Sequence, residues 1–171
     1  MALIIEDGTI VAGANSLATT LEYRAYLESI GIDTSADTDA VVDQALIRGL
    51  RALCPRYEPS LSGCRVDSIQ LWCVPRISMY AHGFLIASDT VPDNFKYAQI
   101  LFGYKSKTID LSPDLEQGKF VTKTKDKVSV LETEIEYAEP ENVVGERLTT
   151  FTEIEEILKP YFKQRSAVIF W

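Results

Sequence analysis

The segment Thr38-Asp39-Ala40-Val41-Val42-Asp43-Gln44-Ala45-Leu46-Ile47-Arg48-Gly49-Leu50-Arg51-Ala52-Leu53-Cys54-Pro55 has the spacing of an amphipathic helix. Val42, Ala45, Leu46, Gly49, Leu50 and Leu53 recur every three or four residues, which lines them along one face. The residues ahead of it, Asp33 to Asp39, are rich in N-cap candidates and place negative charge at the positive end of the helix dipole. Pro55 ends the pattern, so the helix is expected from about 38 to 54, with Arg48 and Arg51 on its wetter side. A helix with one apolar face needs partners to cover it.

Three further helices are expected. Thr19 and Glu22 have the capping-box spacing, Tyr23, Tyr26, Leu27 and Ile30 follow at helical intervals, and Gly31 is placed for a left-handed stop, which predicts a helix over about 20–30. Phe95, Ala98, Leu101, Phe102 and Lys105 form a face after Val91-Pro92, predicting a helix over 93–106. Thr150 and Glu153 repeat the capping-box spacing ahead of Phe151, Ile154, Ile157 and Leu158, and Pro160 distorts the end of a helix over 151–162.

Between the helices the pattern changes. Residues 1–18 carry two short apolar runs around Asp7-Gly8 and read as a small hairpin or an extended arm. Residues 55–91 read as a long structured connection, pinned to the core by Leu71, Trp72, Val74, Phe84 and Ile86, with a short helix about 67–74 as the alternative. Residues 119–138 read as a β-hairpin, with Lys119, Lys123, Lys125 and Lys127 opposite Glu132, Glu134 and Glu136. The fold class expected is therefore mainly α: a small four-helix domain over 1–162, a β-hairpin insertion between helices three and four, and extended N- and C-terminal arms, the latter covering 163–171.

Composition narrows the function. The chain has 171 residues, 46% of them apolar, enough for one domain with a core that needs no disulfide or metal. Its 25 acidic and 17 basic side chains give a net charge of −8, the wrong sign for a general nucleic-acid binder, although a local basic groove stays compatible with it. Cys54, Cys64 and Cys73 are odd in number, with no CxxC pair, and are expected as buried thiols of a reducing compartment. No targeting segment opens the chain and no apolar run approaches bilayer length, so a cytoplasmic protein without membrane contact is expected.

Catalysis has no legible constellation: GxGxxG, GxSxG, HExxH and GxxxxGK[ST] strings are absent, and His82 beside a cysteine is the only pairing to consider. The expectation is no enzyme, no cofactor and no metal. The aromatics Tyr23, Tyr26, Phe95, Phe102 and Phe151 fall on helix faces and are expected in the core rather than as base-stacking platforms. From Glu132 to Glu146 there are six glutamates and no lysine or arginine, a solvated face or a functional negative surface. Ala167-Val168-Ile169-Phe170-Trp171 follows the basic spacer Lys163-Gln164-Arg165-Ser166, and either adds a strand to its own domain or docks on a partner.

Several stretches carry a resemblance: Met1 to Gly8 through Gly13-Ala14-Asn15-Ser16, the helix ending at Gly31, Ala45-Leu46-Ile47-Arg48, Trp72 with Pro75-Arg76, Val91-Pro92 with Lys96, Ala98 and Gln99, Glu134 to Tyr137, and Leu158-Lys159-Pro160. Together they resemble tailed-phage head-to-tail adaptors, the connector or head-completion proteins often labelled DnaT-like single-stranded-DNA-binding proteins. One departure is that Cys73 and Val74 separate Trp72 from Pro75-Arg76, which that family usually has directly joined.

The resemblance implies a structural protein of the virion neck: a homo-oligomeric ring of 12 copies, bound to the portal and to a neck, stopper or tail protein, with genomic double-stranded DNA passing through the lumen. Lys163, Arg165, Ala167, Val168, Ile169, Phe170 and Trp171 would then dock on the portal. Glu132, Glu134, Glu136, Glu139 and Glu141 would form an acidic surface towards the lumen. The rival expectation is a single-stranded-DNA-binding replication accessory, in which Lys119, Lys123, Lys125 and Lys127, with Arg48 and Arg51, make the nucleic-acid contacts.

Overall fold

The computed structural model describes residues 2–111 and 151–163. All of them belong to one unit, formed by residues 1–112 and 151–171, and the second unit, 113–150, lies outside the described residues. The described helices are α1 (Thr20–Ser29), α2 (Asp39–Tyr57), α3 (Asp93–Lys105) and α4 (Thr152–Leu158), with 3-10 turns at Glu58–Ser60 and Lys159–Tyr161. Between α2 and α3 lie four strands of two residues, β1 (Cys64–Arg65), β2 (Arg76–Ile77), β3 (Tyr80–Ala81) and β4 (Phe84–Leu85). They pair antiparallel as β1 with β2 and β3 with β4.

The helices follow the spacing of their apolar residues. Thr19 and Glu22 form the reciprocal capping box at the start of α1, and Gly31, at φ +82°, lets the chain turn left-handed after its end. Pro55 does not stop α2, which runs one turn further because Tyr57 is buried against the rings of Phe102 and Phe162. α4 follows its N-cap residue Phe151 without a side-chain cap bond; Thr150 lies outside the described residues.

α2 and α3 form the centre. They approach so closely that a Cβ built on Gly49 would stand 2.7 Å from the Gly103 backbone nitrogen, and one on Gly103 would stand 2.8 Å from the Ala45 carbonyl oxygen. On one side of this pair Leu50, Leu53, Tyr57, Phe95, Leu101 and Phe102 join Phe151, Ile154 and Leu158 of the α4 segment. On the other, Val42, Ala45, Leu46 and Ile100 join Tyr23 and Leu27 of α1. The fully buried Gln99 ties three segments: its Oε1 accepts from Leu17 N–H, and its Nε2 donates to Ser16 Oγ and the Leu46 carbonyl, at 2.8–2.9 Å.

The four-helix adaptor with a hairpin between helices three and four is not the fold observed. Two small antiparallel sheets lie between α2 and α3, in the segment read as an irregular connection, and the residues assigned to the hairpin insertion, 119–138, lie outside the described residues. No helix forms at 67–74. The N-terminal segment is neither a hairpin nor an extended arm. Ile5 bridges Ser16 in parallel, and the buried Glu6 carboxylate accepts from the N–H groups of Gly8, Ile10 and Val11, each at 2.9 Å, which folds residues 6–11 into a tight loop.

The connection is held by side chains that bond to carbonyls. Buried Arg76 donates to the carbonyls of Ser62, Cys73 and Gly63, and buried Gln70 donates to those of Trp72 and Pro75. Trp72 donates to the Ala14 carbonyl at 2.7 Å. Of the five residues expected to pin this segment, Val74 is buried and Trp72 and Ile86 are half-buried on the core, whereas Leu71 and Phe84 are exposed. The cysteines also differ from expectation: Cys54 and Cys73 are joined as a disulfide that ties the end of α2 to this segment, and the remaining thiol, Cys64, is exposed. No helix among the described residues is long and apolar enough to cross a membrane.

Candidate nucleic-acid interface

Arg48 and Arg51 are three residues apart on α2, so their side chains leave the same face of the helix, opposite Leu46, Leu50 and Leu53. Both are exposed, and among the described residues neither is in an ion pair. They line an open groove of about 520 Å³ whose far wall is the chain just after α3, Ser106 to Leu111.

Lys107 adds a third cation to this wall, anchored by an ion pair with Asp37 and placed over the rings of Tyr23 and Tyr104 at 5.5 and 5.6 Å. Burial alone would lower the Lys107 pKa, but the bonds to Asp37 and Tyr23 win and raise it, so the ammonium stays charged. The hydroxyls of Ser106 and Thr108 donate to the carbonyls of Gly103 and Lys105 and keep lone pairs free as acceptors. The C-terminal end of α3 and Asp110 contribute negative potential here, so attraction for an anion comes from the guanidinium forks, whose donor geometry fits a phosphate.

Other cations are used within the fold. Arg24 bonds the carbonyls of Thr34 and Asp37 and pairs with Asp39, Lys96 pairs with Glu22 and Asp93, and Lys105 pairs with Glu153. Arg56 lies 4.8 Å from the Phe151 ring centre. Tyr23, Phe95, Phe102 and Phe151 are buried as expected, and Tyr26 is half-buried, stacked on Tyr97 at 4.4 Å.

The other sequence-derived sites divide simply. Lys119, Lys123, Lys125, Lys127, Glu132, Glu134, Glu136, Glu139, Glu141, Arg165 and Ala167 to Trp171 lie outside the described residues. Lys163 is tied to the body, its backbone N–H donating to the Ser60 carbonyl and its Nζ to that of Pro59. His82 sits exposed at a hairpin turn, and the disulfide leaves neither Cys54 nor Cys73 as a thiol to pair with it. Among the described residues no cluster of three His, Cys, Asp or Glu side chains is placed to hold a metal.

Sequence reasoning missed one surface, the exposed hairpin β3–β4. Its signal was His82-Gly83 between two short apolar runs: both residues have positive φ, +51° and +85°, as a two-residue hairpin turn requires.

The family model described as "Putative DnaT-like ssDNA binding protein" matches residues 1–170. No curated protein and no solved structure matches the chain. This overturns the head-to-tail adaptor assignment, because the matched family is described by ssDNA binding and nothing in the comparisons points to a virion connector. The neck, ring and portal-docking roles attached to that assignment fall with it. With a match that spans all but the last of 171 residues, the chain belongs to the DnaT-like ssDNA binding protein family.

Proposed function

We propose that this protein binds single-stranded DNA as a replication accessory, holding phosphates in the groove of Arg48, Arg51 and Lys107. Lys119, Lys123, Lys125 and Lys127 supply further phosphate contacts. Family membership supports the reading, and the observation that carries it is the Arg48–Arg51 fork, in no ion pair among the described residues, facing an open groove in a chain of net charge −8. Among the described residues six of the eleven Lys and Arg side chains are in ion pairs, and two exposed guanidiniums outside those pairs form a local attractor for a polyanion. The overall negative charge slows approach of DNA, so the salt dependence of binding is set by the cations that neutralise phosphates.

The test is fluorescence anisotropy of a labelled oligo(dT) titrated with the full chain at several salt concentrations. Binding that weakens with salt is expected, and replacing Arg48 and Arg51 by Gln should flatten the slope of log affinity against log salt by roughly 0.7 per cation removed. Absence of binding even at low salt would refute the proposal.

A further inference from the structure

The groove between α2 and the turn after α3 has two walls of opposite hydrogen-bonding character. On α2, Arg48 and Arg51 carry donors and no acceptor. On the other wall, the donors of Ser106 to Ile109 are already spent. The N–H of Ser106 donates to the Phe102 carbonyl, that of Lys107 to Tyr104, and those of Thr108 and Ile109 to Lys105, all at 2.8–3.2 Å. The hydroxyl protons go the same way: Ser106 donates to the Gly103 carbonyl at 2.6 Å and Thr108 to that of Lys105 at 3.3 Å. Lys107 commits its ammonium to Asp37 and to the rings of Tyr23 and Tyr104.

What this stretch offers to the groove is acceptors. Ser106 Oγ and Thr108 Oγ1, each with its proton bound to a carbonyl, retain lone pairs, and Asp110 adds negative potential. Either hydroxyl can donate into the groove only by giving up the bond it already makes. Ala52, Ile109 and Leu111 add apolar surface to the lining, in which Asp110 is the only carboxylate. A ligand that satisfies both walls therefore carries an anionic group for the guanidiniums, an apolar ring, and N–H donors on the edge of that ring. A nucleotide whose base bears an exocyclic amino group has all three. Cytosine presents its N4 amino group and adenine its N6 amino group, where thymine presents the O4 acceptor.

We infer that the groove is a base-discriminating subsite for single-stranded DNA, in which Arg48 and Arg51 take a phosphate while Ser106 and Thr108 accept from the amino group of the adjoining cytosine or adenine. The inference rests on the DNA-binding reading above and deepens it, since phosphate contacts alone do not tell one base from another. Thymine or uracil in the same seat sets a carbonyl oxygen against two hydroxyl oxygens. The loss of a hydrogen bond of this kind weakens binding about three- to tenfold.

The experiment compares oligo(dC) with oligo(dU) of the same length by fluorescence anisotropy, using the full chain at mildly alkaline pH, where cytosine is neutral. The two bases are of one size and differ in bearing an amino group or an oxygen at C4. Oligo(dC) should bind about three- to tenfold more tightly. Removing both hydroxyls, Ser106→Ala with Thr108→Val, should abolish that preference, with folding verified by circular dichroism. Arg48→Gln with Arg51→Gln should instead weaken both strands alike. Equal binding of the two strands by the wild type, or tighter binding of oligo(dU), overturns this inference alone and leaves the phosphate reading in place. A preference for oligo(dC) that survives removal of both hydroxyls assigns the selection to other residues and equally overturns it. Failure of the wild type to bind either strand at low salt refutes the DNA-binding reading itself, and this inference with it.

Discussion

Glu58 shows how an ion-paired carboxylate makes the fold sensitive to acid. Its bonds to Arg65, at 2.6 and 2.7 Å, hold its carboxyl below the ordinary carboxylate value of 4.5. Glu22 is also lowered: burial would raise it, but the Thr19 N–H and Lys96 outweigh that. A carboxyl with a depressed folded-state pKa stabilises the fold above its unfolded value and loses that contribution as pH falls through the folded one. The urea midpoint should therefore drop as pH falls below about 4.5, and Glu58→Gln should reduce that drop. Gly49 offers a second test at this scale. The backbone of α3 fills the space where a Cβ would stand, so Gly49→Ala should cost about 1–3 kcal/mol by urea denaturation, although Ala is the better helix former.

Among the elements, α1 carries its own start signal, and Thr19→Ala removes the bond to Glu22 N–H; a loss of about 1 kcal/mol in unfolding free energy is expected. The disulfide links elements rather than shaping one. Alkylation of the denatured, unreduced chain should label one cysteine, Cys64, and reduction should expose two more. The helices were legible because each repeats its apolar spacing for at least two turns, as Val42 to Leu53 does. The β1–β4 segment was not, because two-residue strands are too short to show alternation. Its order comes instead from Arg76 and Gln70, whose carbonyl partners no local pattern announces. Phe84 misled for the same reason: an aromatic between apolar neighbours reads as core, yet it stands exposed beside the hairpin turn.

On the scale of the whole molecule, the Arg48–Arg51 groove is a cationic place on an acidic chain. The groove was partly legible, since both arginines fall opposite the apolar stripe of α2, but its other wall comes from residues after α3, more than 50 positions away. The seat of the β3–β4 hairpin was not legible, because residues near 60, 80 and 160 meet only in the folded chain. Adding salt should weaken DNA binding while raising stability or leaving it unchanged, because screening also relieves the self-repulsion of a −8 chain. Thermal melts beside the anisotropy titrations will separate the two effects.

The Gln99 junction has a consequence for how the protein is made. Leu17 N–H finds its acceptor 82 residues further along, and Trp72 reaches back 58 residues to Ala14. During synthesis at about 5–20 residues per second, the first segment leaves the ribosome roughly 4–16 s before Gln99 follows it. The Glu6 loop can close at once, since its partners lie within five residues, but Ser16 to Ala18 must wait in water for α3 to arrive. A nascent chain stalled near residue 90 should thus hold its N-terminal segment open to protease, and one stalled well past residue 140, with α3 clear of the exit tunnel, should protect it.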